Sequence, residues 1–83
     1  MNARKNKVTV QIFGETYPLK GDAEPENIME VATLLDERMQ ETAFANPRMP
    51  AMMVAILAAL NIADEYLRLR RDYNELLKML KEK

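Results

Sequence analysis

The sequence contains no cysteine, histidine, tryptophan or serine, and it has only two glycines among its 83 residues. Without a thiol or a serine hydroxyl, the chain lacks the common acyl nucleophiles. Without imidazole, it lacks the side chain that serves as a general base near neutral pH and that often binds zinc. These absences weigh against an enzyme, and we predict no catalytic residues, no metal site, no cofactor and no small-molecule substrate.

The absence of cysteine also excludes disulfide bonds, which fits a reducing cytoplasm. A chain of 83 residues makes one small domain that buries a limited share of its surface on its own. Hydrophobic residues make up 48% of the chain, but aromatic residues only 6%, so most of the apolar surface is aliphatic or methionine. We therefore expect self-association to supply part of the stability.

Long hydrophobic runs and a strong net charge are missing as well. The main apolar run, residues 51–60, extends past one asparagine to residue 63, which is shorter than the roughly 20 residues of a membrane span. We therefore predict no membrane insertion. The net charge is -1, and between residues 22 and 47 seven acidic residues accompany one basic residue. This acidic block weighs against a dedicated nucleic-acid-binding protein.

Residues 8–20 show the alternating pattern of a β-hairpin, and Gly14-Glu15 has the composition of a two-residue turn. Such a turn pairs Phe13 with Thr16, Ile12 with Tyr17, Gln11 with Pro18, and Val10 with Leu19. One face of the hairpin is then apolar and has to be covered by another element. Its members are Val8, Val10, Ile12, Tyr17 and Leu19.

Two helices are predicted after the hairpin. Pro25, flanked by acidic residues, is typical of a first helical turn, and Asn46-Pro47 predicts the end of this helix, so we expect it over residues 25–44. Nothing breaks a helix from residue 51 to about residue 80, a length of about 45 Å. The predicted organisation is a disordered basic N-terminus at 1–7, a head at 8–50, and a long helix at 51–83.

The long helix carries a heptad pattern of apolar residues over four heptads. We call this pattern the seam and predict it as the dimer interface; its members are Met52, Ala55, Ala59, Ile62, Tyr66, Leu69, Tyr73, Leu76 and Leu80. A second apolar stripe lies beside the seam and consists of Met53, Ile56, Leu60, Ala63 and Leu67. We expect the seam to face a partner chain and the second apolar stripe to face the hairpin and first helix, with the far half of the helix projecting as a coiled coil. Parallel and antiparallel pairing both fit this pattern.

The predicted fold class is thus α+β, with an N-terminal hairpin packed on a short helix and a long C-terminal helix in a dimeric coiled coil. The segments VTVQIFGETYPLKG, PENIMEVATLLDERMQE and ILAALNIADEYLRL together resemble the ZapA family of bacterial cell-division proteins, over about residues 8–70. The resemblance implies a non-enzymatic cytoplasmic protein at the mid-cell division ring. It implies binding to FtsZ filaments, bundling of their protofilaments, and a homodimer that can pair into a tetramer; the dimer and the tetramer both fit this sequence.

The FtsZ contacts of the family are attributed to charged residues of the head. They include a basic residue just after the turn glycine and basic residues around the end of the first helix. This chain has Glu15 at the turn position, and Arg48 is the nearest base after the first helix. We therefore predict Arg48, Arg38 and Glu15 as FtsZ-binding residues, and we expect both arginines to be exposed.

The alternative function is a generic coiled-coil module that binds another partner. Nucleic acid would be such a partner, because Arg4, Lys5 and Lys7 give the N-terminus a positive charge. The acidic first helix weighs against this alternative, and our leading prediction includes no nucleic acid.

Overall fold

A two-stranded antiparallel hairpin opens the computed structural model, which describes residues 6–82. Strand β1 spans Asn6–Ile12 and strand β2 spans Glu15–Gly21, while helix α1 spans Pro25–Ala45 and helix α2 spans Ala51–Lys81. Both β1 and α2 pack against α1, so α1 is the central element and β2 the outer strand. This order of elements confirms the predicted α+β fold of a hairpin, a shorter helix and a long helix.

The hairpin begins earlier than its sequence pattern indicated. Asn6 lies in β1, inside the segment 1–7 that we predicted to be disordered. Its backbone pairs with Gly21, and its side-chain amide donates a hydrogen bond of 2.9 Å to the carbonyl oxygen of Ala23. These two contacts tie the start of β1 to the end of the hairpin. The remainder of the predicted disordered segment, residues 1–5, lies outside the described residues.

Both helices begin next to a proline. The proline ring holds φ near the helical value, and proline has no backbone N–H, a group that would have no partner within the first helical turn. Pro25 is the first residue of α1, and Pro50 is the N-cap of α2. Helix α1 continues one residue beyond its predicted end, to Ala45. There the backbone N–H and the side-chain amide of Asn46 both donate to the carbonyl oxygen of Thr42, at 3.0 and 2.9 Å. These hydrogen bonds provide partners for the Thr42 carbonyl oxygen, which lies in the last turn of the helix.

The turn of the hairpin is Phe13-Gly14, and the prediction of Gly14-Glu15 is wrong. Both turn residues have positive φ angles, 52° and 83°, as a type I′ turn requires. Phenylalanine is rare at positive φ. Here it is held by tertiary contacts, because its N–H donates to the Asp36 carboxylate at 2.6 Å and its side chain packs against the buried core.

The changed turn shifts the strand register by two residues from the prediction. Val10 pairs with Tyr17 instead of Leu19, and Val8 pairs with Leu19. Because side chains alternate with a period of two, a shift of two residues leaves the same apolar residues on one face. On this face, Val10 of the inner strand is buried, whereas Tyr17 of the outer strand is 45% exposed.

The core joins α1 to the first half of α2. Met39 of α1 and Val54 and Ala58 of α2 form its buried centre. Partly buried residues pack around them: Ile12, Phe13, Leu35, Ala43, Met49 and Ala55. The prediction that the second apolar stripe faces the head is therefore wrong. Small side chains at positions 54 and 58 let the two helices approach closely, and this turns the larger residues of the stripe away from the head.

Candidate interaction surfaces

The candidate functional sites of this chain are exposed surfaces for contact with other protein molecules. Within residues 6–82, no three carboxylates converge in a way that could hold a metal ion. None of the helices in that range is long and apolar enough to cross a membrane. The features that stand out are apolar side chains along α2, a groove beside the hairpin, and charged residues of the head.

The seam lies along one face of α2 and is largely uncovered in the single chain. Ala55 and Ile62 are partly buried, and Leu69 is 69% exposed. The guanidinium carbon of Arg70 lies 5.6 Å from the ring centroid of Tyr66, close enough for a cation–π contact at the edge of the seam. The exposed members of the seam are Met52, Ala59, Tyr66, Leu69, Tyr73, Leu76 and Leu80.

The far half of α2 extends beyond the head. Every described residue after Ile62 is exposed, although α2 continues as a helix to Lys81. A helix without tertiary contacts is only marginally stable in water. A second helix packed along the seam would supply the missing contacts.

The second apolar stripe lies on the side of α2 away from the head. At about 100° per residue, Ile56 and Leu60 project roughly opposite to the buried face of Val54 and Ala58, and Met53 lies about 120° from the middle of that face. All five residues of the stripe are exposed. The first half of α2 thus has a buried face toward α1 and a wide uncovered apolar face on its other side.

A groove of about 670 Å³ runs between the hairpin, α1 and the start of α2. We call it the head groove. The apolar and aromatic residues of its lining include Tyr17, Leu19, Leu35, Met39, Met52 and Ala55. Glu15, one of the predicted FtsZ-binding residues, stands at its rim and is exposed. Met52 and Ala55 belong to both the seam and the head groove, so the two surfaces are continuous.

Arg38 does not present the exposed cation that we predicted. Its side chain is only 26% exposed, and its two terminal nitrogens donate to the two carboxylate oxygens of Glu65, each at 2.7 Å. These hydrogen bonds lower the pKa of Glu65 and raise the pKa of Arg38. A bidentate pair of this kind fixes the relative orientation of its two side chains. The pair therefore helps to fix the position of α1 along the axis of α2.

The three predicted FtsZ-binding residues lie in three different places. Glu15 is on the hairpin, Arg38 is between the helices, and Arg48 is exposed in the connection between α1 and α2. Close to that connection, Phe44 at the end of α1 is 89% exposed. We did not predict Phe44 as a contact residue from the sequence, although Leu35, Met39 and Ala43 recur every four residues along the core face of α1 and residue 44 falls off that face.

Two contacts of the head have no signal in a single sequence. The Asp36 carboxylate holds the turn at Phe13, and Glu65 holds Arg38. The partners are separated by 23 and 27 residues. Neither spacing is a helix or strand period, so no local pattern could reveal them.

We expect the Arg38–Glu65 pair to stabilise the protein at neutral pH and to lose this effect in acid. Because the folded state lowers the pKa of Glu65, the contribution is present above the ordinary glutamate pKa of about 4.3 and disappears as the pH falls through the lower folded value. The raised pKa of Arg38 affects the stability of the protein only in strongly alkaline solution. A double-mutant cycle with Arg38→Ala and Glu65→Ala, measured by urea unfolding between pH 3 and pH 7, tests this.

The exposed Asp64–Arg68 pair on α2, 3.0 Å apart, is the control for that cycle. We expect a smaller coupling free energy for it, because one turn of the same helix holds both residues in any case. Equal coupling free energies for the two pairs at neutral pH would contradict the role of Arg38 in joining the helices.

The chain is similar to known cell-division proteins over nearly its whole length. The family model described as cell division protein ZapA matches residues 8–83. Cell division protein ZapA of Shouchella clausii is 43% identical over 72 residues, which cover 87% of this chain and 92% of that protein. The ZapA of Geobacillus kaustophilus is 40% identical over 78 residues, which cover 94% of this chain and 86% of that protein.

Two solved structures have the same fold. A ZapA mutant dimer from Geobacillus stearothermophilus superposes with a TM-score of 0.78 and 35% identity, covering 96% of this chain and 93% of that one. A structure described as an unknown conserved bacterial protein from Pseudomonas aeruginosa PAO1 gives a TM-score of 0.75 and 31% identity, covering 93% of this chain and 86% of that one. The matched family model, the relatives and the hairpin-and-helix architecture agree, and the chain belongs to the ZapA family of cell division proteins.

Proposed function

We propose that this protein is a non-enzymatic cell-division adaptor that self-associates through α2 and crosslinks FtsZ filaments. The observation that carries the proposal is the exposed apolar seam, which continues past the head for the full length of α2. The dimeric state of the similar Geobacillus protein supports self-association. Membership of a cell-division family supports the choice of FtsZ as the partner.

Crosslinking of this kind needs no chemistry. A dimer carries two identical heads, and two heads that each bind a filament subunit hold two protofilaments together. Pairing of dimers into tetramers would increase the number of heads further. On this proposal the protein acts in the cytoplasm, at the mid-cell FtsZ ring, and makes the ring more stable by bundling its protofilaments.

Arg48 is our main candidate for contact with an acidic surface of FtsZ. It is exposed, and it stands on a connection that both helices anchor. The exposed ring of Phe44 lies near it in the chain, and aromatic and arginine side chains are the types that dominate interface energies. Glu15 at the hairpin is the second candidate, while Arg38 would act by holding α1 in place.

Co-sedimentation with polymerised FtsZ tests this proposal. We expect the wild-type protein to sediment with the filaments and to bundle them. Arg48→Glu should weaken binding about fivefold, which corresponds to about 1 kcal/mol, and raised salt should weaken wild-type binding in the same direction. Arg71→Glu makes the same charge change on the exposed far half of α2 and is the matched control.

Two results would count against the proposal at different levels. If Arg48→Glu sediments with FtsZ as the wild type does, the contact lies elsewhere on the head, and the hairpin around Glu15 is the next surface to vary. If the folded wild-type protein does not sediment with FtsZ at any concentration at which it is dimeric, the adaptor function is wrong.

A further inference from the structure

The side of α1 that faces away from the core carries a heptad series of its own. We call it the outer face of α1; its members, spaced three and four residues apart, are Asn27, Glu30, Leu34, Glu37, Glu41 and Phe44. At about 100° per residue, these positions project roughly opposite to the buried Ala32 and Met39. All six residues are exposed. Positions with this spacing form one continuous stripe along a helix, which is the shape against which a second helix packs.

Two apolar side chains of the outer face are uncovered. Leu34 is 42% exposed, and Phe44 is 89% exposed. Each lines an open hollow on the surface, of about 620 Å³ at Leu34 and about 700 Å³ at Phe44. Ten residues separate the two side chains, which corresponds to about 15 Å along the helix. Exposed apolar side chains rimmed by polar residues are typical of a surface that contacts another protein.

The positions between these apolar side chains are acidic. Glu30 and Glu37 lie one turn to either side of Leu34, and Glu41 lies one turn before Phe44. The one base of α1 is already paired with a glutamate of α2. Among residues 6–82, no other base lies within ion-pair distance of the three glutamates. The outer face therefore combines two apolar hollows with a negative charge that the described part of the chain does not neutralise.

This combination restricts the chemistry of the partner. The glutamates repel the phosphate groups of a nucleic acid or of an anionic membrane. The outer face of a second copy carries the same glutamates, and like charges that meet across an interface disfavour that pairing. A helix with two apolar side chains and with lysine or arginine between them complements both the hollows and the charge.

We propose that the outer face of α1 binds a basic amphipathic helix of another protein. Two apolar residues of that helix enter the hollows at Leu34 and Phe44, and its basic residues face the three glutamates. This inference goes beyond the proposed crosslinking of FtsZ. It assigns to the head a second binding surface, whose charge is opposite to that of Arg48.

The two binding surfaces of the head come close together at Phe44. Its ring closes the C-terminal end of the outer face, and Arg48 follows four residues later in the connection between the helices. A bound helix would therefore cover surface next to Arg48, and each head would exchange one partner for the other. This consequence depends on the proposed FtsZ contact, whereas the inference itself does not.

A designed peptide tests the inference in the absence of FtsZ. The probe is a fluorescein-labelled, alanine-based helical peptide of about 20 residues, long enough to form a helix in water. It carries two leucines ten residues apart, with lysines between them on the same face. The control peptide has the same composition, but its lysines lie on the face opposite to the leucines. Fluorescence anisotropy should show that the probe binds the full chain about fivefold more tightly than the control peptide does.

Two variants of the outer face locate the binding site of the probe. Phe44→Ala should weaken binding about fivefold and Glu37→Lys about tenfold, because the first removes an apolar contact and the second places a base opposite the lysines. Met29→Ala, on another side of α1, and Glu75→Lys, on the far half of α2, are the matched controls and should bind as the wild type does. Circular dichroism melts confirm that all four variants are folded.

Four other results would each overturn the inference. Equal affinity for the probe and the control peptide would mean attraction by net charge alone. Unchanged binding by both Phe44→Ala and Glu37→Lys would place the probe on another surface, such as the head groove. Absence of binding up to about 1 mM protein would mean that the outer face has no useful affinity for a helix. If Glu37→Lys instead changes the self-association measured by sedimentation equilibrium, a second copy of the chain covers the outer face.

Discussion

Leu69→Glu is expected to give a monomeric protein that melts at least 15 °C below the wild type. Burial of a leucine contributes about 1.5–3 kcal/mol, and a dimer loses two such side chains while two like charges are placed across the seam. For a domain of this size, each 1 kcal/mol shifts the melting temperature by about 4–8 °C. Circular dichroism melts at several protein concentrations, combined with sedimentation equilibrium, measure both effects.

Asn74→Glu is the matched control, since it adds the same charge to the far half of α2 outside the seam. Its melting curve should remain close to that of the wild type and should depend on protein concentration, as expected for a dimer. A Leu69→Glu variant with an unchanged melting temperature would remove the basis for the coiled-coil interface.

The same Leu69→Glu variant separates filament binding from filament bundling. A folded monomer would keep one FtsZ-binding surface and lose bivalence. We expect part of the variant to sediment with FtsZ filaments, while light scattering shows no bundles. Bundling at the wild-type level by a verified monomer would mean that a single head links filaments.

Val54→Asp is expected to unfold the head. Val54 is 1% exposed and belongs to the buried core cluster with Met39 and Ala58. An unpaired carboxylate at such a site costs about 3–5 kcal/mol, a large part of the 5–15 kcal/mol by which folded domains are stable. Urea unfolding monitored by circular dichroism should show the midpoint move to much lower denaturant.

Val31→Asp introduces the same side chain on α1 at a position that is 66% exposed, and it should change the midpoint little. The comparison also tests which face of α2 the head covers. If Val54→Asp unfolds at the same midpoint as Val31→Asp, α1 does not pack on the face of α2 that carries Val54.

The sequence by itself determined the kind and order of the elements. A period of two marked the hairpin, Pro25 and Asn46-Pro47 bounded the first helix, and the heptad pattern marked the second. The heptad pattern placed the seam on one face of α2, and three blocks of residues indicated the family. All of these signals are local, because each depends on residues that are neighbours along one strand or one helix.

The tertiary structure decided how the elements meet. The turn moved to Phe13-Gly14 because Asp36, 23 residues away, accepts the N–H of Phe13. Arg38 is only partly exposed, because its guanidinium is paired with Glu65 of the other helix. The side of α2 that faces the head was set by Val54 and Ala58, whose small side chains give a weak hydrophobic signal in the sequence but allow the closest approach of the two helices. Contacts between segments that are distant in the chain leave no periodic trace, so only the packed structure shows them.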